Sequence, residues 1–379
     1  MRHFKLLIVI LTVSLLAASC ASEPAGVRAL RTAPVFPEAD WAASTPAAQG
    51  LDPLRLDTAL AYLARHCGAD GLDQTVVIKD GYLVWAGDSI DVRHNIYSCT
   101  KGLTSAAMNL LRVDGALELN DRAATFEPLL SDRYGDVRIW HFASMTSGYS
   151  ARGASRWGEP SEDWGWTPYL PDAPYFAPGE AYAYWDEAQM MYGRVLTQAA
   201  QRDLYALLDE RIMRPIGVGD AWRWDPEGRL ALATGDSVPI RNGCTGIQLT
   251  ARELARVGWL YANAGVWAGD TLLPPLYARK QLTAQVPAEL PVGPTDRDDV
   301  RGPGVYGYGW WAASPDSGAE HALPHAPADA AYLSGFNHNV CLVVPSEGLV
   351  LVRMGDDGNP AAGKYRVYDG VLARLLGPT

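Results

Sequence analysis

Lysine is scarce in this chain of 379 residues. The 32 basic residues include only Lys5, Lys79, Lys101, Lys280 and Lys364 as lysines, so a motif that requires one seldom arises by accident. No basic patch offsets the net charge of −11, which argues against a nucleic-acid binder. Beyond the first twenty residues there is no long apolar run. The five cysteines, Cys20, Cys67, Cys99, Cys244 and Cys341, contain no pair with metal-site spacing. His321 and His325 are four apart, but Pro324 between them spoils a helical metal pair. Asp296, Asp298 and Asp299 do not follow a calcium-loop pattern and read as a solvated loop. No G-x-S-x-G elbow occurs, so the α/β-hydrolase arrangement is not expected. No metal or cofactor is called for, and no internal repeat divides the chain.

The amino terminus is informative. Arg2, His3 and Lys5 precede an apolar run from Leu6 to Ala18, and Ala17-Ala18-Ser19-Cys20 closes it. This is the pattern of a secretory signal over 1–19, too short to span a bilayer comfortably. Cys20 at the edge of the run also resembles a lipobox, which makes it a candidate lipidation site; an ordinary signal with an incidental cysteine is the other reading. The expected location is exported, on the outer side of a bacterial membrane and held by a lipid anchor. The remaining four cysteines then meet an oxidising compartment, where disulfides and small buried thiols are both open.

Residues 20–50, rich in Ala and Pro, read as the lipidated Cys20 and a flexible tether, and the folded domain is placed at 51–379. Asp52-Pro53 followed by Leu54, Leu56, Ala59, Leu60 and Leu63 predicts a helix. Thr75–Ile78, Asp80-Gly81 and Tyr82–Trp85 predict a hairpin. Leu103, Ala107, Leu110 and Leu111 continue Ser98–Lys101 as a helix. Thr250 with Glu253 opens another helix, to Ala264. Strands are predicted at Gly307–Ala312, Asn339–Val344 and Leu349–Met354, then a helix at Val367–Leu376. The fold class is α/β in the α+β sense: an antiparallel sheet flanked by helices, formed by about 51–114 and 290–379, with an inserted helical domain at about 115–289. The aromatic stretch 150–178, with Trp157, Trp164, Trp166, Tyr169, Tyr175 and Phe176, either walls a pocket or packs an insertion.

Ser98 and Lys101 stand three apart at a helix start, on one face. A serine hydroxyl needs a base to become a nucleophile, and a lysine serves if burial lowers its pKa. Free N–H groups at the helix start favour the negative charge that develops. Alone, such a lysine is as well explained as a solvated helix residue.

Further segments give the pair company. Residues 41–379 resemble the serine hydrolases related to class C β-lactamases, penicillin-binding proteins and their esterase relatives. The resemblance runs through Gly50-Leu51-Asp52, Ser98-Cys99-Thr100-Lys101-Gly102, Ile139–Gly148, and Pro178-Gly179 followed by Tyr184-Trp185-Asp186 and Gly193. It continues through Gly243–Ala255 and Ser334-Gly335. It implies a β-lactamase/transpeptidase-like fold with Ser98 as nucleophile, and Lys101 and Tyr184 as proton-transfer groups. The backbone N–H groups of Ser98 and Phe336 would form the oxyanion hole. Ser334, Gly335 and Asp186 would support the substrate.

Two positions depart from the family pattern. Asp186 stands where Asn is usual, and a carboxylate there would hold Lys101 charged. Leu333 aligns with the Lys or His that begins the third motif, so the cation that grips a substrate carboxylate is missing. His338, followed by Asn339, is a candidate polar contact or a simple turn. These departures favour esterase, lactonase or amide-hydrolase relatives acting on a small-molecule ester or amide, and a monomer is expected. A β-lactamase or D-Ala-D-Ala carboxypeptidase, or a silent binding module of the same fold, are the alternatives.

Overall fold

The computed structural model describes residues 34–152, 167–232, 235–294, 300–358 and 363–377. The 1–19 segment, Cys20, Trp157, Trp164, Trp166, Asp296, Asp298 and Asp299 lie outside these residues.

Asp52 caps helix α1 (Pro53–His66), its Oδ1 accepting the N–H groups of Leu54 at 2.9 Å and Arg55 at 3.4 Å. Proline at the first helical position loses no hydrogen bond there. Leu56, Ala59, Leu60 and Leu63 recur at helical spacing and are buried. They face the carboxy-terminal helix α8 (Lys364–Leu376), which buries Val367, Val371, Leu372 and Leu375 in the same cluster.

A six-stranded antiparallel sheet lies beneath these two helices. Its strands are β1 (Gln74–Lys79), β2 (Tyr82–Ala86), β3 (Trp311–Ala312), β4 (Ala331–Gly335), β5 (Asn339–Val344) and β6 (Leu349–Met354). The order across the sheet is β3-β4-β5-β6-β1-β2, so the first and last parts of the chain share it. Asp80 (φ 54°) and Gly81 (φ 89°) make the tight β1–β2 turn, the left-handed pair that a two-residue hairpin needs. The central strands β5 and β6 are buried along their whole length. Alternate side chains go to opposite faces. Val77, Leu342 and Leu351 join α1 and α8, whereas Val76, Val343 and Val350 join the cluster on the other face.

Helix α2 (Thr100–Val113) belongs to that second cluster. With it pack α4 (Asp186–Ala200), α5 (Leu204–Leu208) and α7 (Pro275–Leu282), while the short α3 (Ile139–Ala143) packs on α4. Helix α6 (Ala251–Ala262), opened by the Thr250–Glu253 capping box, lies directly on β1, β5 and β6. It therefore belongs with the sheet, although the chain boundaries place it in the 115–289 helical part. The packing is close because residue 258 is glycine: a Cβ there would stand 2.6 Å from Cys341 Sγ and 2.7 Å from a Val350 methyl.

The folded body also starts earlier than residue 51. Trp41 is buried, Ser44 N–H and Leu83 N–H exchange bonds with Leu83 and Ala42 carbonyls, and Trp259 Nε1 donates to the Val35 carbonyl at 2.9 Å. Residues 34–50 are thus a strap over β2 and α6 rather than tether. The predicted strand at Gly307–Ala312 also shortens to Trp311–Ala312. Residues 306–311 turn back on themselves, with Gly307 N–H bonded to the Trp310 carbonyl and Gly309 at φ 75°.

Candidate active site

Ser98 sits in a single 3-10 turn (Tyr97–Cys99) that runs straight into α2, half-buried at the helix start. The segment before it is pinned by Asn95, whose Oδ1 accepts the N–H of Tyr97 at 2.7 Å and of Gly246 at 3.2 Å. Tyr97 takes a left-handed backbone (φ 49°), an uncommon conformation for an aromatic residue and one found at functional sites. Asn95 carried no motif signal in the sequence.

One turn into α2, the Lys101 side chain is 1% exposed. Its Nζ donates to Ser98 Oγ at 2.8 Å, to Asp186 Oδ1 at 2.8 Å and to the Cys244 carbonyl at 3.2 Å. Burial by itself would push this ammonium down. The Asp186 carboxylate outweighs burial and holds the pKa above the usual lysine range. Lys101 in the resting protein is therefore charged, contrary to a lysine turned into a free base by burial. Asp186 is the first residue of α4, where the helix N-terminus favours a carboxylate.

Tyr184 precedes α4 and is buried against Tyr306 and Trp311. Its ring centroid lies 4.7 Å from Lys101 Nζ, and its hydroxyl lies beside Ser98 and Lys101. Burial raises its pKa more than Lys101 lowers it, so it rests as a protonated phenol. The chain is fixed before it by Ala183 N–H on the Met145 carbonyl, and after it by Gln189 Nε2 on the Phe142 carbonyl at 2.7 Å. The 139–148 segment thus serves as a bracket for Tyr184. His141 within it is a buried neutral imidazole, its pKa pushed down to about 4 by burial and by Arg138, and its Nδ1 accepts the Arg138 N–H.

Strand β4 closes the site. Gly335 passes so near the turn before Ser98 that a Cβ would lie 2.3 Å from the Ile96 carbonyl oxygen. This approach carries Phe336, the next residue, to the mouth, where its ring meets Tyr97 edge-on at 5.8 Å. Ser334 is half-buried beside it. Leu333 is fully buried, and Gly102 of α2 has no room for a Cβ because the Leu333 methyl would stand 2.3 Å away. Apolar packing fills the position where a cation was missed.

Ser98, Lys101, Tyr184, Asp186, Ser334, Gly335 and Phe336 come together. His338 does not: it is buried beside Tyr368, away from Ser98, because the left-handed turn at Asn337 and His338 swings it toward α8. Asn339 is a brace, its Nδ2 donating to the Phe336 and Gly355 carbonyls at 2.8 Å each. Cys67, Cys99, Cys244 and Cys341 are buried free thiols, so the disulfide option is not taken. His321 and His325 have separate partners, the Arg301 carbonyl and Asp369.

The β-lactamase family model matches residues 73–372. Among solved structures, similar folds include a β-lactamase/D-alanine carboxypeptidase from Yersinia pestis complexed with citrate. It is 20% identical with a TM-score of 0.61, covering 86% of this chain and 99% of that one. A penicillin-binding protein homolog from Caulobacter crescentus is 18% identical with a TM-score of 0.60, covering 86% and 99%. A family VIII carboxylesterase is 16% identical with a TM-score of 0.60, covering 86% and 98%. A search of curated proteins found no match.

Proposed function

The chain belongs to the β-lactamase family, and from that premise we propose that it is an exported serine hydrolase that opens an ester or amide bond through an acyl-enzyme on Ser98. The observation that carries this reading is the chain of contacts Ser98 Oγ–Lys101 Nζ–Asp186 Oδ1, 2.8 Å at each step, with the Tyr184 hydroxyl alongside. Because Lys101 rests charged, it acts as a relay. As Ser98 Oγ attacks the carbonyl, Lys101 takes the serine proton and passes one of its own to Asp186. The ammonium charge is unchanged, and the carboxylate has become the acid. Tyr184, a protonated phenol, hands its proton to the leaving alcohol or amine and recovers one through Lys101. The N–H groups of Ser98 and Phe336 receive the oxyanion. Water then releases the acyl group by the reverse relay.

Leu333 disfavours a β-lactamase or D-Ala-D-Ala carboxypeptidase, since the substrate carboxylate of either has no cation at this position. A silent binding module is the second reading, favoured by one observation: Lys101 charged and already paired with Asp186. Purified protein lacking residues 1–33 is incubated with a fluorophosphonate probe and p-nitrophenyl esters, beside Ser98→Ala. Labelling and turnover that vanish in the variant support the hydrolase; no labelling of either protein supports the silent module. The signal pattern at 1–19 motivates lipid attachment at Cys20, which predicts that Cys20→Ala moves the protein from the membrane fraction to the soluble one.

A further inference from the structure

Phe336 is 64% exposed, an unusual fate for a phenylalanine beside otherwise buried strands. Its backbone is tightly held. Asn339 Nδ2 binds its carbonyl at 2.8 Å, and Arg353, itself fully buried, donates to the Asn337 carbonyl at 2.6 Å. Asn337 and His338, both at positive φ, complete the turn. Across the mouth, half-buried Tyr97 is held in its left-handed conformation by Asn95 and meets the Phe336 ring at 70°. Tyr97 directly precedes the nucleophile, and Phe336 bears the second oxyanion N–H. Two rings on rigid backbone therefore touch edge-on beside the serine turn and form one aromatic surface, the Phe336 face of which is turned to solvent.

Asp356 sets negative charge beside Tyr97, while Lys364 is the cation that acts on the neighbouring Cys99. The Asp356 carboxylate, 74% exposed, lies 3.7 Å from His94 Nδ1. It faces Tyr97, whose hydroxyl is pushed up first by burial and then by Asp356. Asp186 neutralises Lys101, and Leu333 replaces the cation. Resting on the hydrolase reading above, we infer that Tyr97 and Phe336 form an aromatic clamp that selects uncharged esters or amides carrying a flat aromatic group next to the scissile carbonyl. Offset or edge-on contact with both rings orients the carbonyl toward Ser98 and the two N–H groups.

The test compares methyl phenylacetate, methyl butyrate and monomethyl succinate, with acid release followed by pH-stat on protein lacking residues 1–33. Methanol is the leaving group throughout, so the acyl part alone varies. The expected kcat/KM for the phenylacetyl ester exceeds that for the butyryl ester by about tenfold, in line with one good aromatic contact. The anionic succinyl ester is the poorest of the three. Phe336→Ala, which keeps the backbone N–H, lowers the phenylacetyl-to-butyryl ratio by about tenfold, chiefly through KM, and Phe336→Tyr restores it. Hydrolysis of all three esters with no preference, a ratio untouched by Phe336→Ala, or a preference for the succinyl ester overturns the clamp and leaves the hydrolase reading intact. No hydrolysis of any ester together with no fluorophosphonate labelling of Ser98 overturns the hydrolase reading, and the clamp with it.

Discussion

Asp186→Asn separates a relay lysine from a free-base lysine. In the wild-type protein the Lys101 and Asp186 charges are 2.8 Å apart, with Lys101 fully buried and Asp186 34% exposed. At an effective dielectric of about 20, two charges at that distance attract by roughly 6 kcal/mol. Solvent around the partly exposed carboxylate screens that figure, and halving it leaves about 3 kcal/mol. At 1.36 kcal/mol per pKa unit, this is worth roughly two pH units on Lys101. The sign follows from the direction of the shift. Lys101 is raised by its partner, so the ion pair is fully present below the ordinary lysine pKa and is lost only as pH climbs past the raised value. The wild-type kcat/KM should therefore be flat from neutral pH to pH 10, with no lysine-linked alkaline step. In Asp186→Asn burial prevails, and Lys101 titrates at least about two pH units lower. Its activity at pH 7 should fall about a hundredfold, the usual contribution of one proton-transfer group, and climb steadily toward pH 9–10 as neutral lysine forms. The assay is the pH profile of kcat/KM on a p-nitrophenyl ester, corrected for spontaneous hydrolysis. A variant profile parallel to the wild type, or one more active at pH 7, refutes the relay.

Gly335→Ala places a Cβ 2.3 Å from the Ile96 carbonyl and must push β4 from the serine turn, taking the Phe336 N–H out of line. The expected result is a loss in kcat of about a hundredfold or more, the cost of one oxyanion donor, together with a lowered thermal midpoint from the backbone clash. Gly258→Ala acts in α6 on the same face of the sheet as α2, where its Cβ meets Cys341 and Val350. Thermal unfolding should show a loss of about 1–3 kcal/mol, with esterase kinetics of the surviving fold unchanged. Burial pushes the Cys99 thiol up to about 12 and the other three described thiols above their ordinary value. Ellman's reagent should then find four slow thiols in protein lacking residues 1–33 and four fast ones after denaturation; fewer on denaturation would mean a disulfide.

What could be read in advance followed from local rules. Asp52-Pro53, the Asp80-Gly81 turn and the Thr250–Glu253 box each encode their geometry within four residues, and all three form as expected. The three-residue spacing of Ser98 and Lys101 is likewise local, and the helix start delivers it. The strap at 34–50 was not legible because Val35, Phe36 and Trp41 show no period; their order comes from the α6 and β2 surfaces they cover. Helix α6 is an amphipathic helix wherever it sits, and only Gly258 beside Cys341 and Val350 marks it as a sheet-packing element. His338 misled because a polar residue after a glycine motif looks like a ligand contact, whereas two left-handed residues turn it inward. The Cys244 contribution to Lys101 is a carbonyl, which every residue has and no side-chain pattern announces.

The two departures from the family pattern also become intelligible together. In the family pattern the motif lysine faces an amide, and a second cation begins the third motif, so the site presents positive charge to a substrate carboxylate. Here Asp186 cancels the charge of Lys101, and Leu333 removes the second cation. Either change alone would unbalance the site. Asp186 without Leu333 would leave the third-motif cation to compete with Lys101 for the carboxylate. Leu333 without Asp186 would leave a buried ammonium with no countercharge, a costly state that resolves by loss of its proton. Both changes together give a neutral pocket floor, on which the proposed relay would move the proton within one ion pair. Such a floor itself presents no net positive charge to an anion. Recognition then falls to the apolar groups at the mouth, where Phe336 and Tyr97 stand. The reversal Leu333→Lys should therefore not convert the protein into a carboxylate-selective enzyme. The new ammonium would meet Gly102 and Trp310 in a space shaped for a methyl group, and the expected outcome is a lower thermal midpoint with no gain in succinyl-ester hydrolysis.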